Sequence, residues 1–412
     1  MILFFLISGL FLGWSLGAND ASNVFGSAVG SKMISFRKAA ITASIFVILG
    51  AVFQGSGTSG TLERLGAVNA VGGSFTVAMA AAITVYLMTR FSLPVSTTQS
   101  IVGAIIGWNL FTGNSTDLTA LIQIISTWIS GPVLGGVFAV MLYVSIKKIK
   151  RKLQIHLFRF ESYIRSGLLI GGAFGAYSLG ANNIANVMGV FIPAFNLNEL
   201  NLGIISLSSS QQLFLLGGIA IATGIVTYSN RIMEVVGRNI VELSSEAALV
   251  VVLSQALVLF IFSSSGLSEA FVRAGLPAIP MVPVSSTQVV VGSVMGIGLY
   301  RGARNINFRL LGEIGLGWII TPLLSGVMGF FALYFIQNVF NIEVGTKASD
   351  MISSSAGQVA LQADKTISEV MLYLLPGLLI AGTAAVIVFY FLERKKKREL
   401  KMSEEKFWRN LK

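Results

Sequence analysis

Two short stretches of this chain place carboxylate, amide and hydroxyl groups inside otherwise apolar sequence. GANDASNV at residues 17–24 returns as GANNIANV at 180–187, with five of eight positions identical. PVSTTQSIVGAIIG from Pro94 returns as PVSSTQVVVGSVMG from Pro283, with eight of fourteen identical. Asp20 is the only carboxylate before Glu63, and Asn19, Ser22 and Asn23 surround it with no Lys or Arg inside the motif. A charge in bilayer hydrocarbon costs about 2.5–3.5 kcal/mol on insertion scales, so it persists only where something compensates it. A carboxylate among amide carbonyls and hydroxyls is a ligand set for a hard cation.

The PVS motifs suit the opposite charge. Proline disfavours helix in the residue before it, so Pro94 and Pro283 are predicted to interrupt their segments. Ser96 and Ser285 are then predicted N-caps of the helices that follow. Such a break leaves backbone N–H groups at a positive helix end, which a bound anion satisfies. Ser96, Thr97, Thr98, Ser285, Ser286 and Thr287 add hydroxyl donors, and Gln99 and Gln288 can serve either ion. Plainer readings are a helix-break cap at Asp20, close packing at the glycines and alanines, and self-capped kinks at the prolines. Recurrence of both motifs in the same order favours ligand binding. With one fixed negative charge and no basic residue, these motifs hold an oxyanion dianion poorly unless cations accompany it. Charge balance therefore favours cation–anion symport over an anion channel.

The elements that must position these residues are membrane helices. The 412 residues are 54% hydrophobic and 11% charged, with mean hydropathy +0.78; soluble domains carry about 25% charged residues. Apolar runs of about 20 residues imply many spans, and the length suits roughly ten to twelve helices. The short alternating segments of a barrel are absent. There is no cysteine, which excludes disulfides and Cys-based metal sites. The N-terminal MILFFLISGLFLG has no basic leader region and reads as a retained first span.

The net charge of +11 concentrates in residues 147–165 and in the tail from Glu393. Both runs are expected on the cytoplasmic side, beside anionic lipid headgroups, as are SFRKAA near Lys38 and RGARNINFR near Arg301. The N-terminus is then outside and the C-terminus inside. A nucleic-acid partner is not expected. His156, the single histidine, is expected to be a solvated loop residue.

The motif copies divide the chain into a first transmembrane repeat (1–146), a basic cytoplasmic linker (147–165) and a second repeat (166–339). A polar external loop (340–368), a C-terminal transmembrane helix (369–392) and a basic tail (393–412) follow. Duplicated halves with polar residues in apolar segments point to a secondary transporter, with the halves expected to be inverted. Among other features, Glu63 and Arg64 are expected to pair at a membrane boundary. Glu242 and Glu246, one helical turn apart, are expected to make interior polar contacts. Trp128 and Trp318 are a third repeated element or interfacial anchors.

The two GAN[DN]xxN and two PVS[ST]TQ motifs, in this order, resemble those of the inorganic phosphate transporter (PiT) family, over both halves to about Tyr300. The resemblance implies an all-α membrane fold of about twelve transmembrane segments in two inverted repeats, with helical hairpins and broken helices at the midplane. It implies a plasma-membrane homodimer that takes up inorganic phosphate with sodium or protons. It implies no enzymatic activity and no cofactor beyond co-transported sodium. The family motifs fall on Asn19, Asp20, Asn23, Asn182, Asn183 and Asn186, and on Ser96 to Gln99 and Ser285 to Gln288. Expected phosphate ligands are Asn23, Asn186, Ser96, Thr97, Thr98, Ser285, Ser286 and Thr287. Expected sodium ligands are Asp20, Asn23, Asn183, Asn186, Gln99 and Gln288.

The second copy departs from the family pattern by reading GANN, with Asn183 where members commonly repeat the aspartate. An amide oxygen can bind sodium but cannot carry a proton, which favours sodium. Alternatives are proton coupling through Asp20 or Glu246, and another tetrahedral oxyanion such as sulfate. A passive channel is a third alternative. A membrane phosphoesterase would need a nucleophile–base pair or metal ligands near the motifs, and no His or Cys lies there.

Overall fold

The computed structural model describes residues 2–90, 95–153, 156–201, 206–239, 244–302 and 308–345. The expected C-terminal helix and tail, all but the first residues of the external loop, Pro94 and Glu242 lie outside these residues. The first half comprises α1 (Ile2–Gly30), α2 (Phe36–Gln54), α3 (Ser56–Leu65), α4 (Val71–Arg90), α5 (Thr97–Thr112) and α6 (Leu118–Leu153). The second comprises α7 (Leu157–Met188), α8 (Ser209–Asn239), α9 (Ser245–Ile261), α10 (Ser265–Arg273), α11 (Ser286–Tyr300) and α12 (Phe308–Phe340). Between α7 and α8 lie a short 3-10 turn (Gly189–Phe191) and two paired strands, β1 (Leu200–Asn201) and β2 (Ser206–Leu207).

This is an all-α, multi-pass membrane protein. Five described helices, α2, α4, α6, α8 and α12, contain stretches long and apolar enough to cross a membrane. The pair α9–α10, bent by 68° across its break, makes a sixth if it counts as one broken span. The apolar outward faces of α6 and α12 carry residues such as Ile122, Ile129, Leu323 and Phe331 in the open, as expected for surfaces that meet hydrocarbon rather than water.

The GAN motifs do not break their helices. Both lie inside continuous helices, α1 and α7. An α-helix satisfies its backbone internally whatever its side chains, so polar residues change what the helix presents and leave its path intact. Pro132 and Pro322 likewise sit inside α6 and α12. Trp128 and Trp318 each stand four residues ahead of these prolines, a third repeated element.

The packing partners obey an exchange rule. α1 lies along α8 as α7 lies along α2, α5 along α12 as α11 along α6, and α4 against α1 as α9 against α7. Glycines mark the closest approaches in matching places. A Cβ on Gly17 would strike the Ile221 carbonyl, and one on Gly180 the Val47 carbonyl. Gly103 meets the Pro322 carbonyl and Gly292 the Pro132 carbonyl in the same way. Small residues of this kind let helix backbones approach where lipid supplies no hydrophobic drive.

The two GAN helices run antiparallel. Along α1, Gly9 faces Met188 and Phe191, Gly13 faces Val187, Val24 faces Gly175, and Phe25 faces Gly172. Rising numbers on one helix meet falling numbers on the other, so the repeats are inverted, as expected.

The basic run at 147–165 is largely helical, divided between the end of α6 and the start of α7. His156 is exposed at the N-cap of α7. Lys150 pairs with Glu246 at the start of α9. Arg301, just after α11, donates to Tyr143 Oη at 2.7 and 3.0 Å and to Ser244 Oγ at 2.9 Å. Lys147 stands 4.6 Å from the Tyr143 ring centroid. These contacts bring the basic ends of α6 and α11 together beside the start of α9.

Candidate functional site: two amide helices meeting two capped hairpin tips

Ser96 and Ser285 are N-caps, as predicted. Ser96 Oγ accepts from the Gln99 N–H at 3.2 Å, and Ser285 Oγ from the Gln288 N–H at 3.3 Å. The preceding residues are non-helical at Val95 and from Leu276 to Val284. Each cap leaves the first N–H groups of its helix without intrahelical partners. The two tips touch, because Thr287 Oγ1 donates to the Val95 carbonyl at 3.0 Å.

The amide helices close around these tips, and each half reaches its own tip first. Asn19 Nδ2 donates to the Val95 carbonyl at 2.9 Å. Its counterpart Asn182 donates to the Val282 carbonyl at 3.1 Å and accepts from the Val284 N–H at 2.7 Å. These side chains dock on extended backbone much as a neighbouring strand would.

Of the next contacts, those of Asn23 and Asn186 with the tips and that of Asn183 with Thr98 cross between the halves, while those of Asp20 with Asn19 and Thr97 stay within the first. Asn23 Nδ2 donates to Ser286 Oγ at 3.1 Å and Thr287 Oγ1 at 2.9 Å. Asn186 Nδ2 donates to Thr98 Oγ1 at 2.8 Å. Asp20 accepts from Asn19 Nδ2 at 2.8 Å and from Thr97 Oγ1 at 3.3 Å. Asn183 Oδ1 accepts from Thr98 Oγ1 at 3.4 Å and from Asn186 Nδ2 at 3.0 Å.

Every expected site residue is buried. The structure joins Asp20, Asn23, Asn183, Asn186, Thr97, Thr98, Ser286 and Thr287 in direct hydrogen bonds, while Ser96 and Ser285 act as caps. The Gln99 and Gln288 side chains make none of these bonds, and their Oε1 atoms are buried without partners. Asn186 Oδ1 and Asn183 Nδ2 are also buried without partners. The open oxygens of Gln99, Gln288 and Asn186, with the Asp20 carboxylate, are of the type an alkali cation takes, since its coordination is oxygen-based. The hydroxyl protons of Thr97, Thr98 and Thr287 already go to protein acceptors. The caps Ser96 and Ser285 accept through oxygen and keep a proton to donate.

Several contributors lay beyond the expected ligand sets. Asn19 and Asn182 hold the tips, and their recurrence at one motif position was the available signal. Thr58 Oγ1 on α3 donates to the Asn182 carbonyl at 3.2 Å, and Thr61 Oγ1 to the Met281 carbonyl at 2.6 Å. So α3 braces the second motif and its tip. The short helix α10 has no buried residue, and the stretch that corresponds to α3, between α8 and α9, falls at 240–243, outside the described residues.

Two expectations about acidic residues resolve elsewhere. Arg64 donates to Thr61 at 3.2 Å and Gln123 at 3.3 Å; a pair with Glu63 is not among the described ion pairs. Glu246 makes its polar contact with Lys150 in a partly exposed pair beside the basic helix ends, rather than in the interior.

The architecture and this buried meeting of repeats define an all-α multi-pass membrane protein with a polar site shared by two inverted halves. Residues 16–162 and 154–329 match the model of the phosphate transporter family, and the chain belongs to that family, one of transporters. Two archaeal relatives are each named "Putative phosphate permease". The one from Thermococcus kodakarensis is 26% identical and aligns with 82% of this chain and 98% of its own. The one from Methanocaldococcus jannaschii is 29% identical and aligns with 79% and 94%. A solved structure described as "The sodium-dependent phosphate transporter" is similar with TM-score 0.64 at 24% identity, over 82% of this chain and 98% of that one. That likeness shows the fold.

Proposed function

We propose that the protein is a symporter that carries inorganic phosphate into the cell with sodium ions, by alternating access. The observation that carries this reading is the single buried site where both inverted halves contribute amides and a capped helix tip. Because the halves run in opposite senses, a site on their internal axis can open to either side through equivalent movements. Phosphate binds at the tips, to the open N–H groups of α5 and α11 and to the hydroxyls of Ser96 and Ser285, and to that of Ser286 once it is released from Asp20. Thr97, Thr98, Thr287, Asn23 and Asn186 adjoin it as their bonds rearrange. Sodium ions bind beside it, held by Asp20, Gln99, Gln288, Asn186 and Asn23.

Sodium rather than proton coupling is supported by the open ligands, which are amide oxygens and cannot carry a proton. The solved structure similar to this chain is itself named for sodium dependence. Each ion screens the other in a low-dielectric pocket, so phosphate and sodium raise each other's affinity. The outward faces of α6 and α12 meet lipid, and part of that surface pairs with a second copy in a homodimer.

Uptake of phosphate by proteoliposomes of the purified protein tests the reading. Accumulation against a gradient is expected with external sodium and not with choline, across a range of pH. Equal uptake in both media would overturn sodium coupling.

A further inference from the structure

The two motif copies differ in charge at one ligand position, where Asp20 of the first corresponds to Asn183 of the second. Asp20 is an acceptor at both oxygens, and both oxygens already receive donors from Asn19 and Thr97. Asn183 differs in charge and in what it leaves open. Its Oδ1 receives Thr98 and Asn186, while its Nδ2 is buried and unpartnered, as is Asn186 Oδ1. Turning both amides over together would still leave one open N–H2 group and one open oxygen on the pair. A buried donor without a partner is costly, and a sodium ion cannot satisfy it. An oxyanion can.

Resting on the symport reading, we propose that the two halves have divided their task. The Asp20 side holds cation charge. The Asn183–Asn186 pair gives an N–H2 group to the phosphate, where a carboxylate would have held a further cation. The carrier therefore moves one fewer sodium ion per phosphate than the same protein would with aspartate at 183. This takes Asn183 out of the sodium set expected from the motif.

The flux ratio of radiolabelled sodium to phosphate decides the matter, measured in proteoliposomes of wild type, Asn183→Asp and Asn183→Ala. The Asp variant should carry one further sodium ion per phosphate, with a steeper sodium dependence and weaker phosphate binding at low sodium. The Ala variant should keep the wild-type ratio and sodium steepness but bind phosphate about tenfold more weakly, as expected for one lost hydrogen bond to an anion. An unchanged ratio in Asn183→Asp would overturn the proposal. So would a shallower sodium dependence in Asn183→Ala with phosphate affinity intact, since the amide would then be a sodium ligand. If the buried charge prevents Asn183→Asp from folding, the Ala variant decides alone. Wild-type phosphate uptake that ignores sodium would overturn the symport reading, and this inference with it.

Discussion

Asn19 and Asn182 show how one residue type can serve as scaffold rather than ligand. Each spans to an extended backbone segment 76 or 100 residues away. Asn182→Ala would strand the Val282 carbonyl and the Val284 N–H in the interior, at about 1–3 kcal/mol for each unsatisfied group. Loss of thermal stability in detergent, together with weaker phosphate binding, is the expected result. Asp20→Asn tests the cation side. It keeps shape and removes charge, so sodium dependence and transport rate should fall together in the vesicle assay; unchanged sodium dependence would refute the role of Asp20. The ligand types were legible from the duplicated motifs, because amides and a carboxylate inside apolar sequence need a reason to be there. The bonding partners were not legible. Val95, Val282 and the carbonyls that Thr58 reaches are backbone atoms, and only the folded chain says which lies opposite which side chain.

Among the elements, the paired hairpin helices repay the closest attention. Gly103 and Gly292 occupy the same place in the two PVS copies and touch the carbonyls of Pro322 and Pro132. Replacing either with Ala forces α5 from α12, or α11 from α6, at about 1–3 kcal/mol. The two variants should lower the melting temperature alike. Gly60 on α3 is the control, since a Cβ there meets nothing within 4 Å and Ala should stabilise the helix by about 0.4–1 kcal/mol. The capped starts of α5 and α11 were legible because Pro-X-Ser is local chemistry. The unbroken course of α1 and α7 was less so: a polar cluster resembles an interruption in hydropathy, although it costs the backbone nothing. The α3 brace lies outside the duplicated motifs, so neither motif announced it.

At the scale of the whole molecule, the basic ends of α6 and α11 gather where α9 begins. The Lys150–Glu246 pair is partly exposed, with 38% and 16% side-chain exposure, so its removal should cost below about 1 kcal/mol. Glu246→Gln should leave both the sodium and the pH dependence of phosphate uptake unchanged; a shifted pH profile would restore Glu246 as a proton carrier. Inversion itself was legible only as a preference, because sequence does not say which segments cross. The antiparallel seam of α1 and α7 supplies that. A self-complementary seam carries a further implication. A polypeptide of half this length would own the surface needed to embrace an inverted twin, as an isologous dimer does. Such a twin must change both faces with every mutation. Tethering the two frees each to drift by itself, and the asparagine opposite an aspartate is the mark such independence leaves.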